Sequence, residues 1–347
     1  MGRRRGSPCM LRSTVFALTL LFLPASIAPA ESMADSMVEN PPAGGKAALV
    51  AFDASPFPYA GTIPADDADA GGDEVPFLDA RDGKRRGHTS PRGGVYWEDT
   101  TYSDKRSLLY IPPDFDRRKP AAILVFFHGN QATLSRDVVD RQQVTRQLAA
   151  SHLNAVLVAP QLAIDALDSS AGAFWRSGHF ARYLHEAEAR LAALEGDGAR
   201  PADFARLPVI LVAYSGGYLP AVWSAAVGGA GKRLKGIILM DALYDETERF
   251  ADWIEYHQRS AFFFSAFTVS SAPANGDLQD LLMNQGIEFT GDPPRCLRKG
   301  DVVFLDTGSG PEHQDFVTRA WVADPLTWLF DRIPGFPRGA GKIACKG

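Results

Sequence analysis

The sequence is short of cysteine, of long apolar runs and of positive charge. It has three cysteines in 347 residues, so it is no disulfide-stapled miniature scaffold and needs a conventional core. Its longest early apolar run, residues 15–23, ends at Pro24, well short of the ~20 residues a spanning helix needs. No later stretch is long and apolar enough to span either. The formal net charge is −5, with no basic patch of the kind that binds nucleic acid. There is no glycine-rich phosphate loop and no His/Cys/Asp cluster at metal-ligand spacing, so no cofactor is expected. Apolar residues make up 46% of the chain, enough for a sizeable core.

The first thirty residues have the layout of a secretory signal peptide. Arg3, Arg4, Arg5 and Arg12 precede the apolar run, and Ala28-Pro29-Ala30 supplies small residues where a signal peptidase reads. Cleavage is expected after Ala30, which makes the protein secreted or periplasmic, with no stable membrane span afterwards. Cys9 leaves with that segment. Cys296 and Cys345 remain, and in an oxidising compartment they are expected to pair. Residues 31–90 hold eleven acids against five Lys and Arg and are rich in Ala, Pro, Gly and Asp. They read as a low-complexity, largely disordered leader, with a brief apolar run at 47–50 and room for one short ordered piece. Residues 91–347 read as the main folded domain.

From about residue 94 short apolar runs alternate with longer amphipathic ones. Strands are expected at 94–97, 106–111, 121–127, 155–159, 209–213, 236–240, 261–267 and 302–305. Helices are expected at 137–151, 179–194, 217–226, 247–257, 277–284 and 314–330. Continuously apolar strands imply burial on both faces, hence a mostly parallel sheet covered by helices, an α/β fold. Residues 161–178, or the segment 31–90, are placed to fold over a site, and no large cap domain is expected.

The run Val209-Ile210-Leu211-Val212-Ala213-Tyr214-Ser215-Gly216-Gly217 takes a buried strand directly into a serine and then into a helix. A serine on so sharp a turn needs small neighbours, and Ala213 and Gly217 hold those two positions. This resembles the nucleophile elbow of the α/β-hydrolases, usually G-x-S-x-G, with alanine for the first glycine. The resemblance spans about residues 94–335 and implies an eight-stranded, mostly parallel sheet flanked by helices and a Ser–acid–His order along the chain. Of the seven histidines only His257 and His313 follow Ser215. His313 lies after the last strand, where the family carries its catalytic base. Most relatives carry the acid after the seventh strand, but residues 268–274 contain none. Asp241, at the end of the sixth strand, is therefore the chosen acid, with Asp245 the alternative and Asp277 a weaker one that suits a helix cap.

The resemblance also implies an oxyanion hole. One donor would be the Gly216 amide, and the other would come from Phe126-Phe127-His128-Gly129-Asn130-Gln131, as the amide of Asn130 or Gln131. His128 would shape that loop rather than react. Tyr214 and Trp175 are the candidate substrate-lining residues. The implied activity is hydrolysis of a carboxylic ester, with an ester or acyl compound as partner. A peptidase or amidase, and a catalytically silent binding protein of the same fold, are the rival readings.

Overall fold

The computed structural model describes Gly2, residues 44–64 and residues 74–338. The expected signal peptide and Cys345 lie outside these residues. Cys296 sits in the irregular segment before the last strand.

Eight strands form the central sheet: β1 (Lys46–Ala51), β2 (Arg106–Ile111), β3 (Ala122–Phe127), β4 (Ala155–Pro160), β5 (Val209–Tyr214), β6 (Leu234–Met240), β7 (Phe262–Phe267) and β8 (Val302–Asp306). Their order is β1-β2-β4-β3-β5-β6-β7-β8. Strand β2 runs antiparallel to both of its neighbours, and every other pair is parallel. The apolar runs are buried on both faces as expected. In β5, Val209, Leu211 and Ala213 belong to one core layer and Ile210, Val212 and Tyr214 to the other. The principal helices are α1 (Val144–Ala150), α2 (His179–Glu195), α3 (Tyr218–Ala226), α4 (Thr247–His257), α5 (Ala272–Asn284) and α6 (Pro325–Phe330). Helix α2 shows the logic: Phe180, Tyr183, Leu184, Ala187 and Leu191 recur at helical spacing and are all buried, and Gly196 ends the helix at φ +66°.

The structure corrects several expectations. In its described part, the segment 31–90 is not a disordered leader. Its short run at 47–50 lies within β1, which pairs with β2 along its full length. Phe52, Phe57 and Phe77 are fully buried in the core behind it. The low-complexity composition hid this because one edge strand needs few residues and its aromatic anchors are scattered. The strand expected at 94–97 forms as Val95–Trp97, but in a separate three-stranded sheet with Arg85–Thr89 and Ala80–Asp82. The helix expected over 137–151 divides into a π-helical turn, Leu134–Arg141, and α1, with Gln143 at φ +52° between them. The helix expected over 314–330 survives only as a short turn at His313–Asp315 and as α6. Asp324 takes φ +53° and Pro325 follows it, so α6 starts afresh there; the residue before a proline is disfavoured in helix. Among the described residues no helix is long and apolar enough to cross a membrane.

The parallel register brings the ends of the strands to one edge. Ala213 pairs with Phe127, Tyr214 with Met240, Met240 with Ala266, and Phe267 with Asp306. The residues that follow β3, β5, β6, β7 and β8 therefore emerge side by side, at the carboxyl edge where open α/β sheets place their sites.

Candidate active site

Ser215 leaves β5 at φ +52°, in the left-handed region that side-chain-bearing residues seldom occupy. The turn leaves little room for a side chain on the two glycines that follow. A Cβ on Gly217 would lie 2.3 Å from the Phe127 carbonyl oxygen, and one on Gly216 would lie 2.1 Å from Asn130 Oδ1. Across the turn, a Cβ on Gly129 would come within 2.7 Å of Ser215 Cβ. The His-Gly pair after β3 thus has a steric reason: only glycine lets that loop press against the serine.

Ser215 Oγ lies 2.8 Å from His313 Nε2, and His313 Nδ1 lies 2.6 Å from Asp241 Oδ2. With Asp241 ionised, Nδ1 carries the proton and Nε2 is free to accept the serine hydroxyl. Asp241 is fully buried and also has a positive φ, +46°. Burial raises its pKa, but hydrogen bonds from His313, Ser271 and Thr268 outweigh it and hold the carboxyl below the ordinary range. Thr268 donates both its amide and its hydroxyl at 3.0 Å, Ser270 its hydroxyl at 3.2 Å, and Ser271 Oγ a further bond. The segment after β7, which lacks an acid, supplies these donors to the acid that β6 carries.

Two tyrosines hold the histidine. The Tyr214 ring stacks on the imidazole with centroids 5.2 Å apart, and its hydroxyl donates to the His313 carbonyl at 2.8 Å. Tyr244 packs edge-on at 6.2 Å, its Oη 3.4 Å from Nδ1. Tyr214 is largely buried but still borders the cleft over Ser215, as expected of a substrate-lining residue.

Asp245 is exposed and accepts from the Glu246 amide at 2.8 Å; it is not part of the Ser215–His313–Asp241 chain of hydrogen bonds. Asp277 lies within α5 rather than at its cap. The two oxyanion candidates separate as well. Gln131 has φ +56° and its amide donates to the Ala166 carbonyl at 2.8 Å, so it is already committed. The Asn130 amide has no partner among the described residues, and Gly216 sits in the first turn of a helix, where amides lack intrahelical acceptors. His128 holds this loop. Nδ1 donates to the Gly129 carbonyl at 2.8 Å, and Nε2 accepts from the Leu162 amide at 2.9 Å. Burial pushes its pKa down to about 4, so it is neutral near pH 7.

A cleft of about 670 Å³ opens over Ser215 and His313. Trp175 does not line it. That side chain is almost fully buried against Tyr59 and Phe77 and borders a neighbouring cavity of about 170 Å³. Sequence reading did not single out the hydroxyls of Thr268, Ser270 and Ser271, or Tyr244, or the arginines of the cleft. The hydroxyl run at 268–271 was the one visible signal.

This is the α/β-hydrolase fold. No family model and no curated protein matches the sequence. Solved structures similar to it include the feruloyl esterase module from Clostridium thermocellum, with 14% identity over 81% of this chain and 95% of that one and a TM-score of 0.43. The S-formylglutathione hydrolase from Agrobacterium tumefaciens is 13% identical over 73% of this chain and 97% of that one, with a TM-score of 0.42. A thermostable esterase from Pseudomonas putida is 11% identical over 73% and 82%, with a TM-score of 0.38.

Proposed function

We propose that the chain is an exported serine hydrolase that cleaves a carboxylic ester through Ser215, His313 and Asp241. The observation that carries this reading is the continuous chain Ser215 Oγ–His313–Asp241, at 2.8 and 2.6 Å, anchored on a strained elbow. A serine hydroxyl is a poor nucleophile until a base takes its proton, and this arrangement provides one.

In the proposed reaction His313 Nε2 accepts the Ser215 proton as Oγ attacks the ester carbonyl. The carbonyl oxygen becomes an oxyanion, held by the amides of Gly216 and Asn130. Asp241 fixes the imidazole tautomer and stabilises its cationic form. Collapse expels the alcohol, which takes the proton from His313. Water activated by His313 then attacks the acyl-enzyme, releases the acid and restores Ser215. A catalytically silent binding protein would have no use for a buried carboxylate kept ionised by four donors besides the histidine.

Export rests on the segment 1–30, and with it goes a Cys296–Cys345 disulfide in the mature protein. Intact mass before and after reduction and alkylation should differ in the manner of one bridge. Two alkylatable thiols without reduction would contradict it.

Activity is tested with p-nitrophenyl butyrate. The mature protein should release nitrophenolate, and Ser215→Ala should lose at least ~10⁴ of the rate. Equal turnover by the two proteins would overturn the assignment of the nucleophile.

A further inference from the structure

The cleft over Ser215 has an unusual charge balance for an acidic chain. Arg92, Arg136 and Arg141 line it, against one carboxylate, Asp137. Asp137 takes Arg136 Nε at 3.0 Å and Arg141 Nε at 2.8 Å. Arg136 is further tied to Asp165 at 2.6 Å and to the Gln131 carbonyl at 2.8 Å, so it is spent on holding the loop that carries Asn130. The other two arginines are not spent. Arg141 gives Asp137 only its Nε, and its two terminal nitrogens have no hydrogen-bond partner among the described residues. Arg92 forms no ion pair among the described residues; its guanidinium lies 5.5 Å from the centre of the Tyr244 ring.

Arg92 is not needed to build the wall it stands on, whereas Arg141 spends its Nε on the buried Asp137. The turn carrying Arg92 is closed by the Ser90 amide on the Gly94 carbonyl at 3.0 Å and by Ser90 Oγ on the Leu167 carbonyl at 2.7 Å. Their positions are also complementary. Arg92 stands beside Tyr244, and Arg141 is close enough to Tyr214 for its charge to act on that phenol. Tyr214 and Tyr244 are the two rings that pack on His313. Two guanidinium edges without a hydrogen-bond partner among the described residues therefore border the cleft that holds Ser215 and His313. A guanidinium presents a planar fork of donors suited to a carboxylate or phosphate.

We propose that the substrate is an anionic ester, whose acyl or alcohol part carries a carboxylate or phosphate group bound by Arg92 and the free edge of Arg141. This rests on the serine hydrolase reading above. It adds a specificity role for two residues outside the Ser–His–Asp chain and makes the positive cleft a means of steering an anion toward Ser215.

The test compares kcat/KM for the p-nitrophenyl monoester of adipic acid, which has a free carboxylate, with that for p-nitrophenyl hexanoate. The ratio, rather than either rate, is the readout, so a loss of folded protein cancels. Wild type should favour the anionic ester, and more so at low salt, because exposed charges are screened as ionic strength rises. Arg92→Gln and Arg141→Gln should each lower the ratio by roughly tenfold, in keeping with the loss of a charge-assisted hydrogen bond. Arg92→Lys should fall between, since it keeps the charge and loses the fork. The stronger competitive inhibitor of acetate and inorganic phosphate, at matched ionic strength, tells carboxylate from phosphate. If hexanoate is cleaved through Ser215 and the ratio is at or below one, or is unmoved by both Gln variants, the anionic-substrate proposal is wrong while the hydrolase reading stands. If neither ester is cleaved and Ser215 does not react with a fluorophosphonate, both fall together.

Discussion

Asp241 is buried with no lysine or arginine partner among the described residues, which would ordinarily favour its neutral form. It is held ionised by an imidazole, three hydroxyls and one amide. Asp241→Asn should therefore present an amide to Nδ1, favour the wrong tautomer of His313 and lower kcat by about 10⁴. Asp245→Asn should stay within a fewfold of wild type, because among the described residues that side chain bonds its neighbour's amide and not His313. Steady-state kinetics of the two variants check both, and the reverse order of effects would move the acid to Asp245. The members of this hydrogen-bonded chain were legible in the sequence because Ser215 and Asp241 follow apolar strands directly, His313 lies in the loop after the last one, and the order is the expected one. The donors to Asp241 and the cleft arginines were not. Arg92 and Arg141 lie far from Ser215 along the chain and meet it only through the fold. Gln131 could not be told from Asn130 because the choice depends on which amide the Ala166 carbonyl captures.

At the scale of elements, the site is a meeting of loops pressed together. Gly129→Ala would put a methyl 2.7 Å from Ser215 Cβ and 3.2 Å from the Tyr214 carbonyl oxygen. It should cost ~1–3 kcal/mol, as overpacking does, and lower activity further by moving the elbow; urea titration with parallel kinetics reads both. His128 gives the β3 loop a pH dependence. Its folded pKa, about 4, lies below the ordinary value, so between about pH 6.5 and 4 the unfolded chain holds the extra proton. The stability it contributes is complete above that window and drains away as pH falls through it. His128→Gln should flatten this part of a plot of urea midpoint against pH. A residual slope is expected, because burial lowers the pKa of His179 and His257 as well. Seven of the eight strands of the central sheet and most helices were legible because apolar runs and helical spacing are local signals. The break between 316 and 324 was not, because its composition is helix-compatible and only Asp324 and Pro325 mark a new start.

For the whole molecule, the main surprise is how much of 44–90 belongs to the body. Three phenylalanines from this segment, Phe52, Phe57 and Phe77, are each at most 1% exposed. Burying each is worth about 1.5–3 kcal/mol. That sum rivals the ~5–15 kcal/mol by which a typical domain is stable. A chain beginning at residue 91 should therefore be insoluble or unfolded, whereas one beginning at 31 should melt cooperatively; circular dichroism of the two decides it. Composition concealed this because it averages over a strand of six residues and a few separated aromatics. The central claim is that Ser215 is activated by His313 and Asp241, and its most direct test is labelling of the mature chain with a fluorophosphonate. The account predicts stoichiometric modification mapped to the peptide containing Ser215, lost in Ser215→Ala and greatly slowed in His313→Ala. A folded protein that stays unlabelled, or that is labelled equally after Ser215→Ala, would contradict it.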